Sequence, residues 1–178
     1  MNHAMTVEDP LRERALAGDE RAFEALVGPL VEPAIRLAYS MLGDRGEAED
    51  ATQEAVARAW RKLSQLRPGM PVRPWFLAIV ANQCRNVRRT RWFRLVRVTA
   101  VAEPEPQRTA EPAVDRLDLE RALARLPERD RRALFLYFFL DMPVEEVAIA
   151  MDLSPAAAKA RIYRACHRLR PDLAEEGL

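Results

Sequence analysis

Apolar residues in this chain recur at intervals of three and four almost from end to end. Nowhere is there the sustained apolar/polar alternation that marks a half-buried strand. That periodicity confines the chain to an all-α architecture. With 178 residues, 49% of them hydrophobic, it can build one ordinary domain or two small ones.

Residues 20–42 carry Phe23, Leu26, Val27, Leu30, Ile35, Leu37, Met41 and Leu42, with Pro29 and Pro33 inside the run. Proline removes a backbone donor and clashes with the preceding turn, so a kink or a break into two helices is expected there. After the Gly43-Asp44 stop, a helix over about 47–66 places Ala48, Thr52, Ala55, Ala59, Leu63 and Leu66 on one stripe, with Trp60 beside it. Asp50, Gln53, Glu54 and Arg61 fall on another face. The breakers Pro68, Gly69, Pro71 and Pro74 end that helix. A further helix then starts at Pro74 and runs through Trp75, Phe76, Ile79, Val80 and Val87, with Trp75 and Phe76 on its apolar stripe as core residues.

Between 98 and 115 the texture changes. The stretch VTAVAEPEPQRTAEPAVD has three prolines, several acids and no apolar residue larger than valine, and reads as a flexible acidic linker between two domains. Four short helical patterns follow, over 116–126, 128–140, 143–151 and 154–170. Their core is expected from Leu119, Leu123, Leu126, Leu134, Leu136, Phe138, Val147, Ile149, Leu153, Ile162 and Leu169. The fold class is therefore all-α, with two small helical domains, the second ending in a helix-turn-helix.

The formal net charge is only +1, yet positive charge is segregated. Six arginines (Arg85, Arg88, Arg89, Arg91, Arg94, Arg97) lie between Cys84 and Arg97 without an acid among them. A second acid-free stretch, 154–170, holds Lys159, Arg161, Arg164, Arg168 and Arg170, and aromatics (Trp92, Phe93, Tyr163) interleave with both. Two cationic surfaces suit a ligand with extended negative charge. Duplex DNA, with about one charge per 1.7 Å of axis, is the natural candidate, against the plainer reading of two solvated helix faces.

Other classes are disfavoured. No run approaches the roughly 18 consecutive apolar residues of a membrane span, and the first residues lack the apolar centre of a signal peptide. A cytoplasmic protein with no membrane insertion of its own is expected. Cys84 and Cys166 belong to no metal-ligand or Cys-x-x-Cys pattern and read as packing residues, so no metal and no cofactor are indicated. Their placement in basic helices is the one argument for a redox role, since such surroundings stabilise thiolates. The only histidines, His3 and His167, lie in a tail and a basic helix. No nucleophile–base pair or carboxylate cluster offers catalytic residues, and an enzyme is not expected.

The segment PVEEVAIAMDLSPAAAKARIYRACHRLR reads as the helix-turn-helix. Val144, Val147, Ala148 and Met151 form the apolar face of the first helix, Asp152-Leu153 the turn, and Ser154-Pro155 an N-cap followed by proline at the first helical position. Ser154, Ala156, Ala157, Lys159, Ala160 and Tyr163 then lie near the exposed start of the second helix, where a recognition helix meets the major groove, with Arg161, Arg164 and Arg168 along its flanks toward phosphates.

Four features in order carry a family resemblance: GEAEDATQEAVARAW (46–60), RPWFLAIVANQCRNVRR (73–89), ALARLPERDRRAL (122–134) and the terminal helix-turn-helix. Together they resemble an extracytoplasmic-function (ECF) sigma factor of bacterial RNA polymerase over residues 19–170. The resemblance implies a lead-in (1–18), a region-2-like domain that binds core polymerase and reads and melts the minus-ten element (19–97), the linker (98–115), a region-4-like domain for the minus-thirty-five element (116–170) and a tail (171–178).

It also implies that Asp50, Gln53 and Glu54 dock on core RNA polymerase, and that Asn82, with Asn86 one turn on, lies where an unstacked base of promoter DNA is captured. Arg85, Arg88, Arg89 and Arg91 would hold the adjacent backbone. An anti-sigma factor is the further partner implied. Where the family usually has Gly-Thr-Val-Lys-Ser-Arg, this chain has Ala156-Ala157-Ala158-Lys159-Ala160-Arg161, which shifts minus-thirty-five recognition toward methyl contacts, the two cations and DNA shape. The alternative reading is a stand-alone helix-turn-helix regulator whose N-terminal half senses a ligand. Such a protein would bind DNA without polymerase.

Overall fold

A computed structural model describes residues 3–98, 122–123 and 125–174, with side chains described over 10–91, 122–123 and 125–169. Every regular element among them is helical: α1 (His3–Leu16), α2 (Glu20–Leu42), α3 (Arg45–Lys62), α4 (Val72–Val98), α5 (Glu128–Leu134), a π-helical turn (Phe135–Phe139), α6 (Val144–Met151) and α7 (Pro155–Ala174). The linker at 98–115 lies outside the described residues, apart from Val98 at the end of α4. So does Leu119.

Helices α2, α3 and α4 pack against one another, with α1 laid on α2. Asp19 starts α2, its carboxylate accepting from the Ala22 N–H at 3.1 Å, and Gly43 ends it at φ +75°, a conformation a side chain would resist. Contrary to the expected break, α2 runs unbroken through Pro29 and Pro33. The carbonyls those prolines leave unpaired belong to Ala25 and Pro29, both exposed, where water can take them. On the opposite face Phe23, Leu26, Val27, Ala34, Leu37 and Met41 are buried across the whole length. By length and mean hydropathy α2 could cross a bilayer, but that apolar face is occupied by α3 and α4.

Asp44 starts α3 by accepting from the Glu47 N–H at 2.8 Å. The inner face of α3 is Ala48, Ala51, Thr52, Ala55 and Ala59, small enough for close approach, and the Thr52 hydroxyl donates to the Ala48 carbonyl at 2.8 Å. The α-helix stops at Lys62 and tightens into a 3₁₀ turn over Leu63–Gln65, four residues short of the expected end, yet Leu63 and Leu66 remain buried as anticipated. Buried Arg12 fastens α1 to the following loop by donating to the carbonyls of Leu66 and of Arg67, the latter at 3.0 Å.

Leu134, Leu136, Leu140, Met142, Val147, Ala148, Met151, Ala158, Ile162 and Ala165 form the core of the second helical group. Phe138 is a correction. The π-helical turn carries an extra residue per turn, rotating the following side chains, so Phe138 and Phe139 stand 65% and 60% exposed and leave Phe135 and Tyr137 to pack inward. Ile149, Leu153 and Leu169 are half-buried.

The two groups touch. α6 packs along α4, and α5 and the π-helical turn touch α2, so one continuous apolar core runs through both. Polar contacts cross the same boundary: Arg73 donates to the Leu140 carbonyl, and Arg88 Nη1 lies 2.5 Å from Glu128 Oε2.

Candidate functional site

Helix α4 turns Phe76, Val80 and Cys84 inward, which leaves Asn82, Arg85 and Arg89 on the exposed side, with Asn86 half-buried beside them. Two Asn–Arg pairs repeat at i, i+3: Arg85 donates to Asn82 Oδ1, and Arg89 Nη2 lies 3.5 Å from Asn86 Oδ1. Each carboxamide thus has its oxygen toward an arginine and its NH₂ group available to an incoming acceptor. Arg88 is held by Glu128, and Arg91 sits 3.7 Å from Glu47 Oε2. The side chains of Trp92, Phe93, Arg94 and Arg97 lie outside the described residues.

More cations line the junction of α4 and α5 than the sequence reading counted. Burial, reinforced by Arg85, holds the Arg132 guanidinium down at about 10, and burial with nearby Arg88 lowers Arg131 as well.

On α3, Asp50 and Gln53 are exposed and Glu54 is half-exposed, on the side away from the alanine face. Glu54 Oε1 also accepts from Arg58 at 3.2 Å and from Arg61 at 3.3 Å, so that carboxylate is oriented before any partner arrives.

The helix-turn-helix is formed as the sequence reading expected. Asp152 closes α6 in the left-handed region at φ 56°, and Ser154 Oγ accepts from the Ala157 N–H at 3.2 Å to start α7. Ala156, Lys159, Ala160, Tyr163 and Arg164 are exposed on α7, while Ala158, Ile162 and Ala165 face inward.

Residues 26–94 match the family model for Sigma-70 region 2, and residues 116–169 that for Sigma-70, region 4, in the order the resemblance required. The chain is a sigma factor of the ECF group. It is 26% identical to the ECF RNA polymerase sigma factor SigL of Mycobacterium tuberculosis, over 92% of this chain and 96% of that one. It is 28% identical to the RNA polymerase sigma factor SigV of Bacillus subtilis, over 80% and 86%. A probable RNA polymerase sigma factor, RfaY of Xanthomonas campestris, is 30% identical over 96% of this chain, which spans 46% of that longer protein. Among solved structures, CnrH in complex with the cytosolic domain of CnrY aligns at a TM-score of 0.72 and 25% identity, covering 96% of this chain and 99% of that one.

As a sigma factor it acts in transcription initiation, and the reading as a stand-alone regulator is not favoured: the N-terminal half is itself a sigma region. Among the described residues no cluster of His, Cys, Asp and Glu could hold a metal ion. Cys84 is fully buried and its thiol is pushed up to about 12 by burial, the reverse of an activated thiolate.

The sequence reading missed Asp130, which lies in the first turn of α5 and is only 4% exposed. Its two oxygens accept from Arg161 Nη1 at 2.9 Å and Arg168 Nη1 at 2.5 Å. The phrase LPERDR contains it, but nothing local in the sequence ties it to residues 31 and 38 positions later.

Proposed function

We propose that this sigma factor binds core RNA polymerase through the Asp50–Gln53–Glu54 face of α3, and that it reads and opens the minus-ten element along α4. Asn82 would capture an unstacked base, with Asn86 one turn on and Arg85, Arg88, Arg89 and Arg91 along the backbone. Ser154, Ala156, Ala157 and Ala160 would lie against the minus-thirty-five major groove, with Lys159 and Arg164 on its phosphates. The domains would be 19–97 and 116–170, joined by 98–115 and flanked by 1–18 and 171–178. The protein performs no covalent chemistry of its own and works in the cytoplasm, where its polymerase is. CnrH was solved with the cytosolic domain of CnrY bound, and an anti-sigma protein is proposed as a partner of this chain.

The observation that carries this reading is the Asn–Arg repeat on α4: two carboxamides that can read base edges, flanked by cations that can hold phosphates. Arg88 has to exchange Glu128 for a phosphate when DNA is engaged. The pair is partly exposed, so that exchange costs no more than about 1 kcal/mol.

The test is a pull-down of purified bacterial core polymerase, with Asp50→Arg/Glu54→Arg as the paired control. Capture by the native chain and loss in the control are expected; no capture by a folded, partner-free sample would sink the proposal. For Asn82→Ala, permanganate reactivity of a promoter bubble should fall more than polymerase binding. Equal loss of both would remove Asn82 from base capture.

A further inference from the structure

The described cations of α7 differ in what holds them. Ala158, Arg161, Ala165 and Arg168 follow each other at three- and four-residue steps along the stripe that packs against α5, and both alanines are fully buried. Lys159 and Arg164 belong to the exposed side with Ala156, Ala160 and Tyr163. Arg161 is only 21% exposed in its side chain, and its Nε is buried without a hydrogen-bond partner. Asp130 holds both arginines, one on each carboxylate oxygen, although the Arg168 side chain is itself 53% exposed. A carboxylate so buried cannot release its guanidinium partners without being left uncompensated away from water.

We propose that Asp130 is a positioning residue that sets the DNA-facing charge of the recognition helix. By tying down Arg161 and Arg168 it withdraws them from phosphate contact and fixes α7 against α5, which leaves Lys159 and Arg164 as the described cations of that helix that meet the backbone. Phosphate contacts supply non-specific affinity, while discrimination is the ratio of specific to non-specific binding. An acid that removes two cations from the count therefore raises selectivity even though it adds no base contact. This inference rests on the reading of α7 as the promoter-facing helix.

The experiment is anisotropy of the full chain on a short mixed-sequence duplex, reading the slope of log affinity against log salt. Each lost or gained phosphate contact changes that slope by about 0.9. Lys159→Ala and Arg164→Ala should each flatten it by about that amount. Asp130→Asn should steepen it by about 0.9 to 1.8, and adding Arg161→Ala to Asp130→Asn should take back about 0.9. Asp130 acting only as a fold stabiliser would lower the melting temperature and leave the slope alone.

A second measurement needs no variant. Phenylglyoxal labelling of the native chain, read by mass spectrometry, should be slowed by the duplex at Arg164 and unchanged at Arg161 and Arg168. Protection of Arg161 as strong as that of Arg164, or an unchanged slope in a folded Asp130→Asn chain, overturns the clamp. If Lys159→Ala and Arg164→Ala also leave the slope unchanged, the DNA-facing reading of α7 falls with it.

Discussion

Cys84 offers a direct probe of how the two helical groups meet. It lies on the inner stripe of α4 with no exposed surface, and Glu128 and Arg132 of α5 are both close enough to act on its charge. Burial, the larger cause, pushes the thiol from its ordinary 9.0 up to about 12. At pH 8 about one thiol in ten would be ionised in an unfolded chain, against about one in ten thousand in the fold. Alkylation through the native state should therefore be slower by about a thousandfold from ionisation alone, before occlusion is counted. Mass spectrometry after iodoacetamide treatment at pH 8 should show a single label at half-buried Cys166, and two labels of similar rate in urea. The linkage has a definite sign. Between about 9 and 12 the unfolded chain releases a proton that the fold retains, so this group lowers stability by about 1.4 kcal/mol per pH unit as pH rises. Cys84→Ala should remove that component. Native labelling of Cys84 within tenfold of Cys166 would refute its burial on the inner stripe of α4.

Three further outcomes test the scaffold. Asp44→Ala removes the acceptor for the Glu47 N–H and should cost about 1 kcal/mol in urea unfolding, with an unchanged m-value. Ala55→Leu forces extra methylenes into the fully buried face of α3 and should cost about 1–3 kcal/mol, visible as a lower melting temperature. The Ala22 N–H, and then Arg14, hold the Asp19 carboxyl below its ordinary 3.8, so its contribution is present above that value and is lost as pH falls through the depressed one; Asp19→Asn should flatten the acid limb of the stability profile.

Much of the fold was legible because its information is local. The period of three and four, the cap at Ser154 and the turn at Asp152 each depend on a few neighbouring residues, and each formed as read. The misreadings arose where distant packing overrides a local rule. Pro29 and Pro33 do not break α2, because the face opposite them is buried end to end against two other helices. Phe138 is outside the core because a π-helical turn, which no periodicity scan anticipates, rotates it outward. Within the candidate site, placing a cation on a helix was easy, but knowing its partner was not: Arg88 meets an acid 40 positions away and Arg161 one 31 positions away.

The alanine face of α3 has a consequence for how such a protein changes over generations. Alanine has no side-chain rotamers to lose on burial, and Ala48, Ala51, Ala55 and Ala59 hold the helix in place by shape alone. The outward residues of the same helix, Asp50 and Gln53 among them, contribute little to that fit. Packing and exposed surface are thus written in different letters of one helix. Mutation can change the outer surface freely while the inner one stays almost immutable, because any enlargement there would push α2 and α4 apart.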